Sequence, residues 1–357
     1  MSTSDWQGWL GHDPDSVNGK MAWSQFEPKE WEETDIDIAV THSSICGSDL
    51  DALANNHGTT EYPICVGHEL VGKITRLGSA VPSHLSIGDR VGIGGISDSC
   101  LNRFGPCSAC TANEPQYCPK LVATYASHHF NTSKAMGGHA KHHRCPASFV
   151  QKIPEGVRSE DAAPLLCGGI TMYSPLKRYE CGPEKTVGII GVGGLGHFGV
   201  VIAKALGAER VVGISRRGSK REEVLAMGAD EYIATEDDKD WSTTHNNKFD
   251  LLISTVSAPD PRLSQYLWLL KRDGVFVQVG NPGEAGLSMS VWPIFMRRLT
   301  VTGSIIGSPS EMEELLQLAA EKKMKFWVET RDMSEANQAM LDMKAGRARY
   351  RYVLVNQ

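Results

Sequence analysis

The feature that most limits the fold is the run Gly191-Val192-Gly193-Gly194-Leu195-Gly196, which fits G-x-G-x-x-G directly after the apolar stretch Thr186–Ile190. Behind it Leu195, Phe198, Val201, Ile202, Ala205 and Leu206 recur at three- and four-residue spacing, so a strand, a tight turn and a helix follow one another. The first glycine permits the turn. The second lets the backbone approach a pyrophosphate, and the third lets helix and strand pack closely while the helix N-terminus offers N–H groups and a positive dipole. A plain glycine turn fits the letters, but the strand–turn–helix setting favours a dinucleotide site.

Further apolar stretches at Arg210–Ile214, Asp250–Ser254, Gly274–Gly280 and Leu299–Ser304 alternate with helical periodicity, which predicts a doubly wound parallel sheet and an α/β fold. The chain before this region has a different texture. It is rich in Gly, Pro, His and Cys, with short β-like runs at Ile36–Val40, Leu70–Leu77 and Arg90–Ile93, and reads as a β-rich strand-and-loop domain. A helix over Glu311–Lys323 and a strand over Arg349–Val355 are expected to return to that domain.

An NAD site carries Asp or Glu at the end of the second strand for the ribose 2′-hydroxyl. Here the position is Ser215, followed by Arg216, Arg217, Gly218, Ser219, Lys220 and Arg221. A carboxylate would repel a 2′-phosphate, whereas a hydroxyl and guanidinium groups hold it, so the cofactor reads as NADP(H). Lys220 and Arg221 also fit a solvated charge run at a helix start, which leaves Ser215 and Arg216 as the stronger candidates.

Nine cysteines stand in a chain with no leader-like N-terminus and no apolar run of membrane-spanning length, so a cytoplasmic, reducing setting is expected and metal ligation outranks disulfides. Cys46, His68, Glu69 and Cys167 offer a mixed set suited to Zn²⁺, three ligands with Glu69 at an otherwise open fourth position. Cys100, Cys107, Cys110 and Cys118 crowd a loop too poor in apolar residues to order itself, where a Cys₄ zinc would do so. Cys107 and Cys110 also form a C-x-x-C that fits a redox pair, but two further cysteines nearby favour metal. Cys65, Cys145 and Cys181 read as packing thiols. With 36 Lys and Arg against 42 Asp and Glu, net charge 36 − 42 = −6 and no basic block, no nucleic-acid or membrane partner is expected.

These segments, together with Gly88-Asp89-Arg90-Val91, Ala163-Pro164-Leu165-Leu166-Cys167-Gly168-Gly169 and Gly303-Ser304-Ile305-Ile306-Gly307-Ser308, resemble the zinc-dependent medium-chain alcohol dehydrogenases, in the cinnamyl-alcohol-dehydrogenase branch with its fungal NADP-dependent aldehyde reductases. The resemblance spans nearly the whole chain. It implies a GroES-like catalytic domain from residues 1–158 and 304–357, a Rossmann domain over 159–303, two zinc ions per chain and a homodimer paired through the Rossmann sheet. It implies cofactor contacts at Gly191, Gly193, Gly194, Leu195, Gly196, Ser215, Arg216, Lys220, Ser304 and Ile306, and pocket walls at Trp292 and Ile305. It also makes Ser48 the group that passes a proton to the product oxygen.

The sequence departs from the family in two places. The first gap among the structural-zinc cysteines, Cys100 to Cys107, is longer than the family's two-residue spacing, so Cys100 is the least secure ligand. Where the branch has His five residues after the first zinc cysteine, this chain has Asp51. His139, Lys141 and His143 fall in a stretch that family register makes a strand, and on a strand they would share one face. The expected activity is reduction of an aldehyde, aromatic or branched, by NADPH. Its rivals are a specialised reductase of an iminium or activated alkene, and a non-enzymatic zinc and NADP-binding protein.

Overall fold

The structure, a computed structural model, describes residues 5–258, 262–283 and 286–356. The chain divides into two compact units. One runs to Cys167 and takes in Gly307–Lys323 and the segment from Trp327 onward; the other comprises Gly168–Ile306 with Met324–Phe326. Both borders fall later than the expected 158/159 and 303/304. The first does so because the helix Ser159–Pro164 packs on the strands Asp35–Ser44 and Leu70–Leu77 and buries Asp161, Ala162 and Ala163 there.

In the first unit a sheet runs in the order Gln151–Lys152, Arg90–Ile93, Leu70–Leu77, Asp35–Ser44, Arg351–Val355 and Val328–Asp332, and His142–Pro146 also pairs with Asp35–Ser44. The two buried carboxylates of the central strand are both paired. Asp35 meets Lys29 Nζ at 2.7 Å, and Asp37 takes the Arg144 fork at 2.6 and 3.0 Å, which offsets the cost of burying them. Ile45, Leu53, Ile64, Val66, Tyr125 and Leu354 belong to one core cluster, so Cys46 and His68 stand one or two residues from anchored positions. The strand Arg351–Val355 confirms the expected return of the C-terminus to this sheet.

His139, Lys141 and His143 do not share a face. His139 and His143 are buried and Lys141 is exposed, bonded to Gln7. The reason is local: Gly138 and His139 donate their amides to Gly67 and Val66, and the strand begins only at His142.

In the second unit six parallel strands run in the order Glu231–Ala234, Arg210–Ser215, Thr186–Ile190, Phe249–Ser254, Leu270–Gln278 and Thr300–Gly303. Numbered within the unit this is 3-2-1-4-5-6, the doubly wound order whose switch point lies between the first and fourth strands. Thr186–Ile190 is buried at every residue, as a central parallel strand covered on both faces must be. Among the described residues, no helix is long and apolar enough to cross a membrane.

Candidate functional site

Cys46, His68, Glu69 and Cys167 each bring a ligand atom to within 4.8 Å of the others. Cys46 precedes the helix Gly47–Leu53. His68 and Glu69 stand just before the strand Leu70–Leu77, and Cys167 lies on a widened π-type turn, Leu165–Gly169. Gly67 makes this approach possible: its φ is +100°, and a Cβ there would sit 2.5 Å from the His139 ring. His68 Nε2 lies 3.2 Å from Cys167 Sγ.

Asp49, one turn after Cys46, orients this group. It accepts from the Cys46 amide at 2.8 Å and the Gly67 amide at 3.0 Å, and its Oδ1 is 3.2 Å from His68 Nδ1. The Tyr125 hydroxyl is 2.9 Å from the same nitrogen, so Nδ1 is the protonated position and Nε2 remains for a metal. Burial opposes ionisation of Asp49, but the His68 and His139 imidazoles and the Cys46 amide outweigh it and hold the carboxyl well below the usual range. Glu69 is wholly buried and its Oε2 is paired with Arg351, while Oε1 has no hydrogen-bond partner. Burial pushes its carboxyl up to about 7, against the pull of Arg351. Two sulfurs, an imidazole and an orphaned buried carboxylate oxygen fit zinc.

Cys100, Cys107, Cys110 and Cys118 form a second group. Cys100 and Cys110 sulfurs are 3.6 Å apart, and Cys107 and Cys118 sulfurs 3.9 Å apart. Tetrahedral zinc with bonds of about 2.3 Å sets its sulfurs about 3.8 Å apart, so the four fit the ion as they stand. The longer first gap does not displace Cys100. Leu101, Asn102 and Gly105 take positive φ, and the segment bulges outward with Phe104 against Phe130, ring centroids 4.8 Å apart. Burial works against ionising Cys118, but backbone groups of Cys100 and Lys120 outweigh it and bring the thiol down to about 7.

In the second unit a cavity of about 700 Å³ opens at the strand ends, lined by Gly191, Gly193, Gly194, Leu195, Ser215, Arg216 and Lys220. Gly191 has φ +86°, and the helix Gly196–Ala205 starts at the cavity. Gly196 itself does not line it: a Cβ there would meet the Gly191 carbonyl at 2.3 Å, so this glycine serves helix–strand packing. Ser215 Oγ accepts from the Val192 amide at 3.1 Å, and Lys220 Nζ donates to the Val192 carbonyl at 3.1 Å. Arg221 turns away, onto the Tyr232 carbonyl. Ser304 and Ile306 follow the last strand and are not among the lining residues. Trp292 and Ile305 are 60% and 54% exposed and are not among the residues lining this cavity.

The alcohol dehydrogenase GroES-like domain model matches residues 32–155, and the zinc-binding dehydrogenase model matches 194–321. An NADP-dependent alcohol dehydrogenase of Saccharomyces cerevisiae is 40% identical over 335 residues, 93% of this chain and 91% of that protein. The chain belongs to the zinc-binding alcohol dehydrogenases. A cinnamyl alcohol dehydrogenase of Arabidopsis thaliana is 36% identical, with 94% of this chain and 92% of that protein covered. The structure of a cinnamyl alcohol dehydrogenase from Sorghum bicolor superimposes with a TM-score of 0.90 at 33% identity, covering 98% and 97% of the two chains. These place this dehydrogenase in the cinnamyl-alcohol-dehydrogenase branch, a GroES-like unit with a Rossmann unit, and make it an oxidoreductase on CH–OH donors.

Sequence reasoning passed over Asp49, Tyr125 and Arg351 in this dehydrogenase. Asp49 had a signal, its three-residue spacing from Cys46 at a helix start. Arg351 had none, since 282 residues separate it from Glu69.

Proposed function

We propose that this dehydrogenase works mainly as an NADPH-dependent aldehyde reductase on aromatic or branched aldehydes, with two zinc ions per chain, as a cytoplasmic homodimer. The observation that carries the reading is the combination, in one chain, of a Cys46–His68–Cys167 cluster backed by Glu69 and a glycine-turn cavity ending in Ser215 and Arg216. The names of two relatives support the cofactor: the yeast enzyme is NADP-dependent, and a cinnamyl alcohol dehydrogenase from Helicobacter pylori, TM-score 0.86 at 28% identity with 98% and 97% covered, was solved with NADP(H).

Cys46, His68 and Cys167 would hold the catalytic zinc, with Glu69 beside it. Zinc supplies a Lewis acid for a carbonyl oxygen and NADPH supplies the hydride. Ser48 is exposed, with its hydroxyl 3.9 Å from Cys46 Sγ, and is the group to hand a proton to the product oxygen. Asp51 lies three residues further on the same helix, its Oδ1 accepting from Asn56 Nδ2 at 2.8 Å, a spacing that puts it on the Ser48 face. Ser215 and Arg216, with Lys220 behind them, would take the 2′-phosphate. Cys100, Cys107, Cys110 and Cys118 would hold the second zinc and order their loop.

Two features support the remaining parts of the proposal. Val291, Trp292, Phe295 and Met296 are exposed on the segment that precedes the outermost strand Thr300–Gly303 in the chain, and an exposed apolar patch and an unpaired sheet edge are both association surfaces. Nine cysteines with no disulfide among the described residues suit a reducing compartment.

Steady-state assays with aldehyde, iminium and activated-alkene substrates test the reading. Aldehyde reduction should dominate, with NADPH preferred about a hundredfold, the weight of two charge-assisted hydrogen bonds. Equal use of NADH refutes the cofactor assignment, and turnover confined to iminium or alkene substrates refutes the reaction.

A further inference from the structure

The basic end of the cavity is a turn, Ser215 to Lys220, and a residue from outside it gives the turn its shape. Tyr232 stands on the strand Glu231–Ala234, which pairs in parallel with Arg210–Ser215 so that Tyr232 is opposite Gly213. Its ring is 3% exposed, and it lines the cavity. The hydroxyl donates to the Arg217 carbonyl at 2.6 Å and also meets the Ser215 side chain. Ser215 in turn accepts from the Val192 amide of the glycine turn. The phenol thus ties the turn at the Arg217 backbone and lies beside Ser215, which is itself bonded to the glycine turn.

The ring itself is fixed. The Arg221 guanidinium lies 5.3 Å from the ring centroid, and its Nη1 donates to the Tyr232 carbonyl at 2.9 Å. Asp237 secures the far side of the turn by accepting the Gly218 amide at 2.7 Å. A turn held before the ligand arrives gives up less conformational freedom on binding than a loose one.

We propose that Tyr232 is a positioning residue for cofactor choice: its hydroxyl presets Ser215 and the Arg216–Arg217 backbone to receive a ribose 2′-phosphate. The proposal rests on the NADP(H) reading above. It concerns only the extra phosphate, because the hydroxyl bonds the Arg217 carbonyl of the basic turn and makes no hydrogen bond to the glycine turn that serves the parts common to NADH and NADPH. Removal of the hydroxyl should therefore divide the two cofactors instead of weakening both.

Tyr232→Phe in the full-length enzyme, titrated with NADPH and NADH by nicotinamide fluorescence, is the test, with adenosine 2′-monophosphate and 5′-monophosphate compared by thermal shift. The Kd for NADPH should rise about five- to tenfold, the weight of one buried hydrogen bond, and that for NADH by less than about twofold. The stabilisation by the 2′-phosphate nucleotide should shrink while that by the 5′-phosphate nucleotide persists, with kcat at saturating NADPH unchanged. Equal losses for both cofactors, or no change for either, overturn the proposal. Arg216→Ala separates it from the reading beneath: if Arg216→Ala weakens NADPH and Tyr232→Phe does not, only the role of Tyr232 falls. If wild type does not prefer NADPH, the NADP(H) reading falls and the proposal with it.

Discussion

The two cysteine clusters of the first unit use the same element of chemistry in opposite ways. Cys100, Cys107, Cys110 and Cys118 lie close together in sequence, on a loop, and present four sulfurs to one point. Cys46, His68, Glu69 and Cys167 come from separated segments, and behind them stand Asp49, Tyr125 and Arg351. A closed set of four sulfurs leaves a metal nothing further to bind, whereas a mixed set with a carboxylate held aside by an arginine keeps a position exchangeable. On the proposed reading, the difference would separate holding a loop from doing chemistry.

The sharpest way to break that comparison is to remove one sulfur from each cluster. Cys46→Ser should lower kcat/KM by about a thousandfold or more, since Lewis-acid stabilisation is worth several kcal/mol, with little change in melting temperature. Cys107→Ser should do the reverse: a loss of about 4–5 kcal/mol of stability, the scale for losing a structural metal, and activity per folded molecule nearly intact. Each variant should lose one zinc by elemental analysis. If both lose activity alike, the two clusters do not differ in role.

The contrast also governs what could be read without the structure. A Cys₄ cluster is compact in sequence, and its crowding on one loop made it legible, although the long first gap left Cys100 the least secure ligand; the outward bulge at Leu101 to Pro106 keeps it beside Cys110. The glycine turn was legible for the same reason, its strand, turn and helix being contiguous. Arg351 and Tyr125 were not, because sequence pattern carries no distance between position 69 and position 351; only the pairing of the last strand with Asp35–Ser44 brings them together. The helix Ser159–Pro164 shows another limit. Its letters do not say which of two sheets it covers, and its packing on the first sheet moved the border.

Asp49→Asn probes the supporting layer of the mixed cluster alone. Its carboxylate braces His68 and the Cys46 and Gly67 amides, and losses of such partners cost about 10–100-fold in metal affinity or activity. Competition with a chelator, followed by zinc release, should show the weakened site while the four-sulfur cluster releases its zinc as in wild type. Equal release from both would mean that Asp49 supports the fold and not the metal.

The smallest expected effect concerns the proton path, where Asp51 takes the position at which the branch carries His. A carboxylate bonded to Asn56 can orient water toward Ser48. Loss of a direct proton-transfer group costs about 10²–10⁴-fold, so Ser48→Ala should fall in that range for aldehyde reduction. Asp51→Asn should cost less than about tenfold on the same scale. If Asp51→Asn is as damaging as Ser48→Ala, Asp51 is an obligatory member of the relay. If neither substitution slows aldehyde reduction, the proton comes from another group, and the mixed cluster works without the Ser48 hydroxyl.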